Sequence, residues 1–266
     1  MTIEAGNVKR WMGVRSLLVV YVVLTAYISL TPWVGIHHGP WTTPLLTVLG
    51  FGLAVSHAGL SIGRVRMGLL LGLSIVISLV FETVGVVTGW VYGPYHYTDM
   101  LGPRFLGLVP YLIPIAWFMM IYPAQVISER LLEGRRLGGW RRALGLAAVA
   151  SVVMTSWDLL MDPMMVQMGA WVWDAPGAYF GIPVHNYAGW IATTFVIYAI
   201  YRWIEPRLPR VSNGGNRMAR LAVWAFLVTW LGNTSAALQF GLVGPALVGT
   251  FSAGVLGMLA ILPDPT

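Results

Sequence analysis

Residues 157–190 read WDLLMDPMMVQMGAWVWDAPGAYFGIPVHNYAGW. They hold three carboxylates (Asp158, Asp162 and Asp174), four tryptophans, His185 and Asn186, and no lysine or arginine. Apolar stretches of membrane length flank them on both sides. Acids without basic partners beside a bilayer are costly to keep, and such residues mark functional sites. Asp158 and Asp162 stand four apart, which puts both carboxyls on one helix face. Like charges at that spacing resist double ionisation, so the pair is suited to hold one proton and offer one acid and one base. That division of labour serves proton addition and water activation. Pro163 disfavours helical geometry at Asp162 and predicts that the helix ends there, which gives Asp162 a second reading as a turn residue before proline.

Glu82 is a further acid in an apolar stretch, in the run FETVGVVTGWVYGPYHY at 81–97. It lies about two helical turns before Gly89. A carboxyl withdrawn from water favours its protonated form and can serve as a general acid. The other reading is a hydrogen-bonded acid that pins two helices together. A third group follows at 169–190, with Trp171, Trp173 and Asp174, then Y-F-G-I-P-x-H-N-Y-x-G-W. Tryptophan faces attract cations by up to ~2 kcal/mol when desolvated, so an aromatic-lined pocket can stabilise a carbocation without trapping it. His185 and Asn186 are candidates to orient a water. Equally, Asn186 is a good N-cap for the next helix, and His185 suits a plain interfacial position.

Other chemistries lack their signatures. There is no Gly-rich phosphate loop, H-E-x-x-H or G-x-S-x-G, and no cysteine. Glu82, Asp158, Asp162 and His185 are donors that would suit Mg²⁺ or Mn²⁺, but their spacing carries no metal signature and no metal is expected. His37 and His38 read as interfacial.

The elements that must position these groups are membrane helices. The chain has 266 residues, 57% hydrophobic and 10% charged, against about 25% charged in soluble domains. Apolar stretches of about 17–25 residues suit spans, and they fall at 12–30, 44–62, 67–88, 109–127, 143–161, 187–204, 218–238 and 242–262. The first lacks a small-residue cleavage site and reads as a span rather than a leader. The expected fold is an all-α polytopic helix bundle of about eight transmembrane helices. Seven remain an alternative, because only residues 239–241 divide the last two. The chain reads as one domain, 1–266, with its motif-bearing core at about 67–204.

Fifteen of the sixteen basic residues fall in alternate connections. These are Lys9, Arg10 and Arg15; Arg64 and Arg66; Arg130, Arg135, Arg136, Arg141 and Arg142; and Arg202, Arg207, Arg210, Arg217 and Arg220. The positive-inside rule makes that side cytoplasmic, with both termini, in a multi-pass protein of the cell membrane. The same distribution accounts for the net charge of +6 without a nucleic-acid partner. The opposite side carries Arg104, Asp99, Asp162 and Asp174, with Glu82 and Asp158 just inside the helix ends. Trp33, Trp41, Trp90, Trp171 and Trp173 lie there too, and an interfacial aromatic belt suits Trp33 and Trp41.

Three runs together resemble the membrane-integral carotenoid biosynthesis family, which includes carotenoid 1,2-hydratases and the archaeal bisanhydrobacterioruberin hydratases. They are E-x-x-G-x-x-T-G-x-x-Y-G-x-Y-x-Y at 82–97, W-D-x-x-x-D-P at 157–163, and G-x-W-x-W followed by Y-F-G-I-P-x-x-N-x-x-G-W at 169–190. The resemblance covers roughly the third to sixth helices. It implies cofactor-free addition of water across the terminal double bond of an acyclic carotenoid. Protonation at C2 gives a tertiary cation at C1, which water captures. Asp158 or Glu82 would be the proton donor, with Asp162 holding or recycling the proton. Trp171, Trp173, Tyr95 and Tyr97, with Trp157, would line the cation pocket, and Asn186, His185 or Asp174 would position the water. The implied partners are a lipid-soluble carotenoid or terpenoid, membrane lipids and other enzymes of the carotenoid pathway.

Rival readings share these residues. A membrane terpene or carotenoid cyclase would start from the same acid but let an internal alkene capture the cation. An intramembrane prenyltransferase needs two aspartate-rich motifs, and only one D-x-x-x-D is present. A transporter would use the acids as a proton relay, yet they gather toward one face. A carotenoid-binding protein without catalysis also fits the aromatic content. A retinal Schiff base is not expected, because the only lysine, Lys9, lies before the expected first span at 12–30.

Overall fold

Eight helical rods form the bundle. The computed structural model describes residues 5–135, 138–209, 211 and 215–262. Arg136 and Arg210 lie outside the described residues, as does the side chain of Arg217. The rods are α1 (Ala5–Leu30), α2 (Thr42–Ser61), α3 (Arg64–Thr88), α4 (Leu112–Leu131), α5 (Gly139–Gln167), α6 (Val184–Ile204), α7 (Gly215–Gln239) and a last rod of α8 (Val243–Gly249) and α9 (Val255–Ile261). A π-helical turn, Thr250–Gly254, joins α8 to α9. Short strands β1 (Tyr95–Tyr97), β2 (Arg104–Phe105), β3 (Val109–Pro110) and β4 (Trp171–Trp173) lie in the connections. The doubtful boundary near 239–241 is real, since α7 stops at Gln239 and α8 starts at Val243.

Seven rods among the described residues are long and apolar enough to cross a bilayer. The exception is α6, which is long enough at 21 residues but carries His185, Asn186, two threonines and three tyrosines. It packs mainly on α5 and α3. The spans α4 and α5 are the most enclosed and α1 the least.

Helix α5 departs from expectation. It runs through Asp162 and Pro163 to Gln167. A mid-helix proline removes one N–H and frees the carbonyl four residues earlier. That carbonyl is Leu159 O, and it accepts a hydrogen bond from the Tyr179 hydroxyl at 2.9 Å. The lost backbone bond is replaced from outside the helix, so the turn reading of Asp162 falls. The fourth helix likewise starts at Leu112 rather than 109, because Val109 and Pro110 pair with β2.

The end rich in arginine is tied across rods. Arg202 lies between Glu129 at 2.7 Å and Glu205 at 2.8 Å. Arg66 donates to Leu208 O at 2.9 Å and Pro209 O at 3.0 Å. Arg130 donates to the carbonyls of Ala260 and Leu262. These bonds join α3, α4, α6 and α9 and leave the opposite end to hold the site.

Candidate active site

The two motif-bearing connections meet as a small antiparallel sheet. Tyr95 pairs with Trp173, His96 with Val172 and Tyr97 with Trp171. Side chains alternate along strands, so Tyr95, Tyr97, Trp171 and Trp173 share the inner face while His96 and Val172 are exposed. The Thr98 hydroxyl donates to Gly169 O at 2.6 Å, and Asp174 N donates to Pro94 O at 2.9 Å. These bonds fix the register at both ends. At Gly189 the helix α6 presses on the first connection: a Cβ there would sit 2.2 Å from Val91 O and 2.7 Å from the Tyr92 ring. Only glycine permits that approach.

Beneath the sheet lie two acidic centres. Glu82 is 4% exposed. Its Oε2 accepts from the Tyr95 hydroxyl at 2.5 Å and the Tyr97 hydroxyl at 2.8 Å, and its Oε1 accepts from Trp117 Nε1 at 3.1 Å. Burial first, and then the Glu82 carboxyl, push both phenols well above their ordinary value, so they remain O–H donors. Both oxygens of Glu82 are engaged.

The second centre is the aspartate pair. Asp158 and Asp162 are 0% and 2% exposed. Asn186 Nδ2 donates to Asp158 Oδ2 at 3.0 Å and to Asp162 Oδ2 at 2.7 Å. Trp171 Nε1 donates to Asp162 Oδ1 at 2.7 Å. Asp158 Oδ1 alone has no hydrogen-bond partner among the described residues. A single amide bridges the two carboxyls, and one carboxyl oxygen of the four is left open.

An aromatic wall links the centres. Trp117 stacks on Trp190 with ring centres 4.4 Å apart, and Trp190 meets Trp157 edge-on at 6.2 Å. Tyr95 lies 5.1 Å from Trp173, and Tyr97 meets Trp171 edge-on at 5.9 Å. All of these rings line one cavity of about 720 Å³ together with Glu82, Asp158, Asp162 and Asn186. Met161, Met164, Met165 and Met168 add a flexible apolar side. The cavity extends to α1, α2 and α7, where Tyr21, Thr25, Thr47, Thr229 and Asn233 line it.

Nine of the eleven residues singled out from the sequence line this cavity: Glu82, Asp158, Asp162, Trp157, Trp171, Trp173, Tyr95, Tyr97 and Asn186. His185 and Asp174 do not. His185 is exposed, and Asp174 is half-exposed with its Oδ1 2.7 Å from His96 Nδ1. Asn186 is not a cap, because α6 starts at Val184 with Pro183 in the capping position. Its side chain turns inward to the aspartates instead. Among the described residues no three His, Asp or Glu side chains gather to hold a metal ion. Sequence reasoning gave no role to Trp117, Trp190 or Tyr92, whose hydroxyl bonds that of Thr193 at 2.9 Å. Trp190 and Tyr92 stood inside the motif runs, but Trp117 sits in an apolar stretch with no neighbour to mark it.

A family model described as carotenoid biosynthesis protein matches residues 42–256. The bisanhydrobacterioruberin hydratase of Haloarcula japonica is 35% identical over 136 residues, which are 51% of this chain and 45% of that protein. The chain thus matches a little under half the length of that curated relative. No solved structure matches the chain.

Proposed function

Because the chain belongs to the carotenoid biosynthesis protein family, we propose that it is a membrane hydratase that adds water across the terminal C1–C2 double bond of an acyclic carotenoid. One observation carries the assignment of roles. Asp158 Oδ1 is a buried carboxyl oxygen on an aromatic cavity wall with no partner among the described residues. It is the one oxygen of the three buried acids free to deliver a proton to a guest.

The steps follow from that placement. Two carboxyls bridged by one amide resist double ionisation and hold one proton between them. Asp158 gives its proton to C2, and the tertiary cation forms at C1 among the faces of Trp157, Trp171, Trp173 and Trp190. Such faces attract cations in a desolvated site. Water adds at C1, and its released proton returns to the Asp158–Asp162 pair, so the acid ends as it began. Asn186 and Trp171 orient the pair. Glu82, with three donors on its two oxygens, fixes Tyr95, Tyr97 and Trp117 and so shapes the pocket. No cofactor is needed for this sequence of steps.

The substrate dissolves in the bilayer and reaches the cavity from within it, alongside membrane lipids and other enzymes of the pathway. With the positive-inside rule, this reading puts the cavity toward the outer face of the cell membrane and the N-terminus in the cytoplasm. Expression in cells that accumulate an acyclic carotenoid tests the reading by product mass. A product heavier by one water is expected. A product of unchanged mass with a new ring would point to the cyclase reading, which the cation-stabilising wall also favours. Unaltered carotenoid would defeat both.

A further inference from the structure

Hydration needs a host for the attacking water, and the residues nearest in sequence do not supply one. Asn186 directs its amide hydrogens to Asp158 and Asp162, and His185 and Asp174 lie off the cavity. Trp157 is different. It lines the cavity and is 5% exposed, and its indole N–H meets no acceptor among the described residues. An indole nitrogen is a donor only, and buried donors without acceptors are rare enough to call for an occupant. The neighbouring residue Asp158 presents the complementary unpaired acceptor on the same cavity. Trp173 Nε1 is a second donor on the cavity wall without a hydrogen-bond partner among the described residues. These donors with Asp158 Oδ1 are the kind of polar partners that hold a buried water.

The far lobe of the cavity is polar as well. Asn233 lines it from α7, and no hydrogen bond ties its carboxamide to a described residue. Thr25, Thr47 and Thr229 line the same lobe, with the Thr229 hydroxyl 2.8 Å from that of Tyr21. The lobe continues to His38 in the first connection and Gln239 at the end of α7, at the site's end of the bundle. We infer that Trp157 seats the attacking water beside Asp158, and that Asn233 and the threonines lead water to it from that end. This rests on the hydratase reading. The water oxygen bonds to C1 while the indole N–H holds it, and the oxonium proton passes to the aspartate pair. A cation denied water loses a proton from a neighbouring carbon to Asp158 and reverts to an alkene.

The partition between alcohol and alkene therefore reads the water site separately from the acid. Membranes holding the full chain are incubated with the acyclic carotenoid in D₂O. Deuterium in recovered alkene reports protonation, and alcohol reports capture. Trp157→Phe keeps the ring against Trp190 and removes the N–H. Asn233→Leu removes the amide from a partly exposed position and guards against a folding failure of the first variant. In each, the ratio of alcohol to deuterated alkene is expected to fall roughly fivefold to tenfold, the worth of one hydrogen bond. Total deuterium uptake persists in Asn233→Leu and falls in Trp157→Phe, where the smaller ring holds the cation less well, so the ratio and not the total is read. An unchanged ratio in both variants would overturn the water site and leave the hydratase reading intact. A fall in Trp157→Phe alone supports the seat and overturns the supply line. Wild-type membranes that yield neither deuterated alkene nor alcohol would overturn the hydratase reading and this inference with it.

Discussion

Substituting the two buried acids separately should separate chemistry from scaffolding. In Asp158→Asn the amide oxygen can still accept from Asn186 Nδ2, as Asp158 Oδ2 does at 3.0 Å. The new NH₂ then takes the position of Oδ1, which has no partner to lose. The fold should survive while the transferable proton is gone. A general acid contributes about 10²–10⁴ in rate, or about 3–5 kcal/mol of barrier. Glu82→Gln has the opposite character. Both carboxyl oxygens accept hydrogen bonds, one from Trp117 and the other from Tyr95 and Tyr97. An NH₂ in either place meets a donor head-on, and leaving a buried donor unpaired costs about 1–3 kcal/mol. Each kcal/mol lowers the melting temperature of a chain this long by about 2–4 °C. The assay pairs alcohol formed per unit of membrane protein, in cells that accumulate an acyclic carotenoid, with thermal denaturation in detergent. Asp158→Asn should be stable and nearly inactive, and Glu82→Gln less stable and partly active. Full hydration by Asp158→Asn would refute the reasoning. A stable Glu82→Gln as inactive as Asp158→Asn would move the proton donor to Glu82.

Three further outcomes follow from the geometry. Tyr179→Phe should destabilise the chain by about 1 kcal/mol, since it strips Leu159 O of the bond that replaces the one lost to Pro163; thermal denaturation measures it. Gly189→Ala should cost about 1–3 kcal/mol by overpacking and lower hydration, because the added carbon would push α6, and Asn186 with it, away from Val91; wild-type stability and rate would contradict that. His185→Ala and Asp174→Asn should each stay within about 0.5 kcal/mol of the wild type and keep full hydration, and a loss of activity in either would bring these exposed residues back into the site.

Hydropathy made the rods legible, because membrane length imposes a fixed run of apolar residues. The pairing of carboxyls was legible too, since spacing of four on a helix is local geometry. What failed was each place where a distant partner overrode a local rule. Pro163 should have ended α5, but Tyr179 reaches across to repair the backbone. Asn186 looked like a cap because it stands just before the apolar run 187–204 and asparagine caps helices well, yet the helix starts at Val184 and the partners of Asn186 lie on another rod. The pairing of Tyr95–Tyr97 with Trp171–Trp173 joins three-residue strands far apart in the chain, too short for any pattern to announce. Trp117 closes the Glu82 centre from a fourth helix, and an aromatic in an apolar run looks the same whether it faces lipid or a carboxyl.

The bridging amide of Asn186 also bears on how the chain enters the bilayer. An aspartate in an isolated span raises the cost of insertion, most of all at the centre, and α5 carries two in its C-terminal third with no basic partner among the described residues. Helix α6 brings the amide that serves both, yet it is the one rod not apolar enough to count as a span by itself. Helix α6 is the poor client of the translocation machinery alone, and α5, apolar enough to span by itself, supplies the face on which it packs. Such a pair favours insertion as a hairpin, with α5 retained beside the translocon until α6 emerges. The residues that equip the cavity for acid chemistry would then also set the order in which the protein is built.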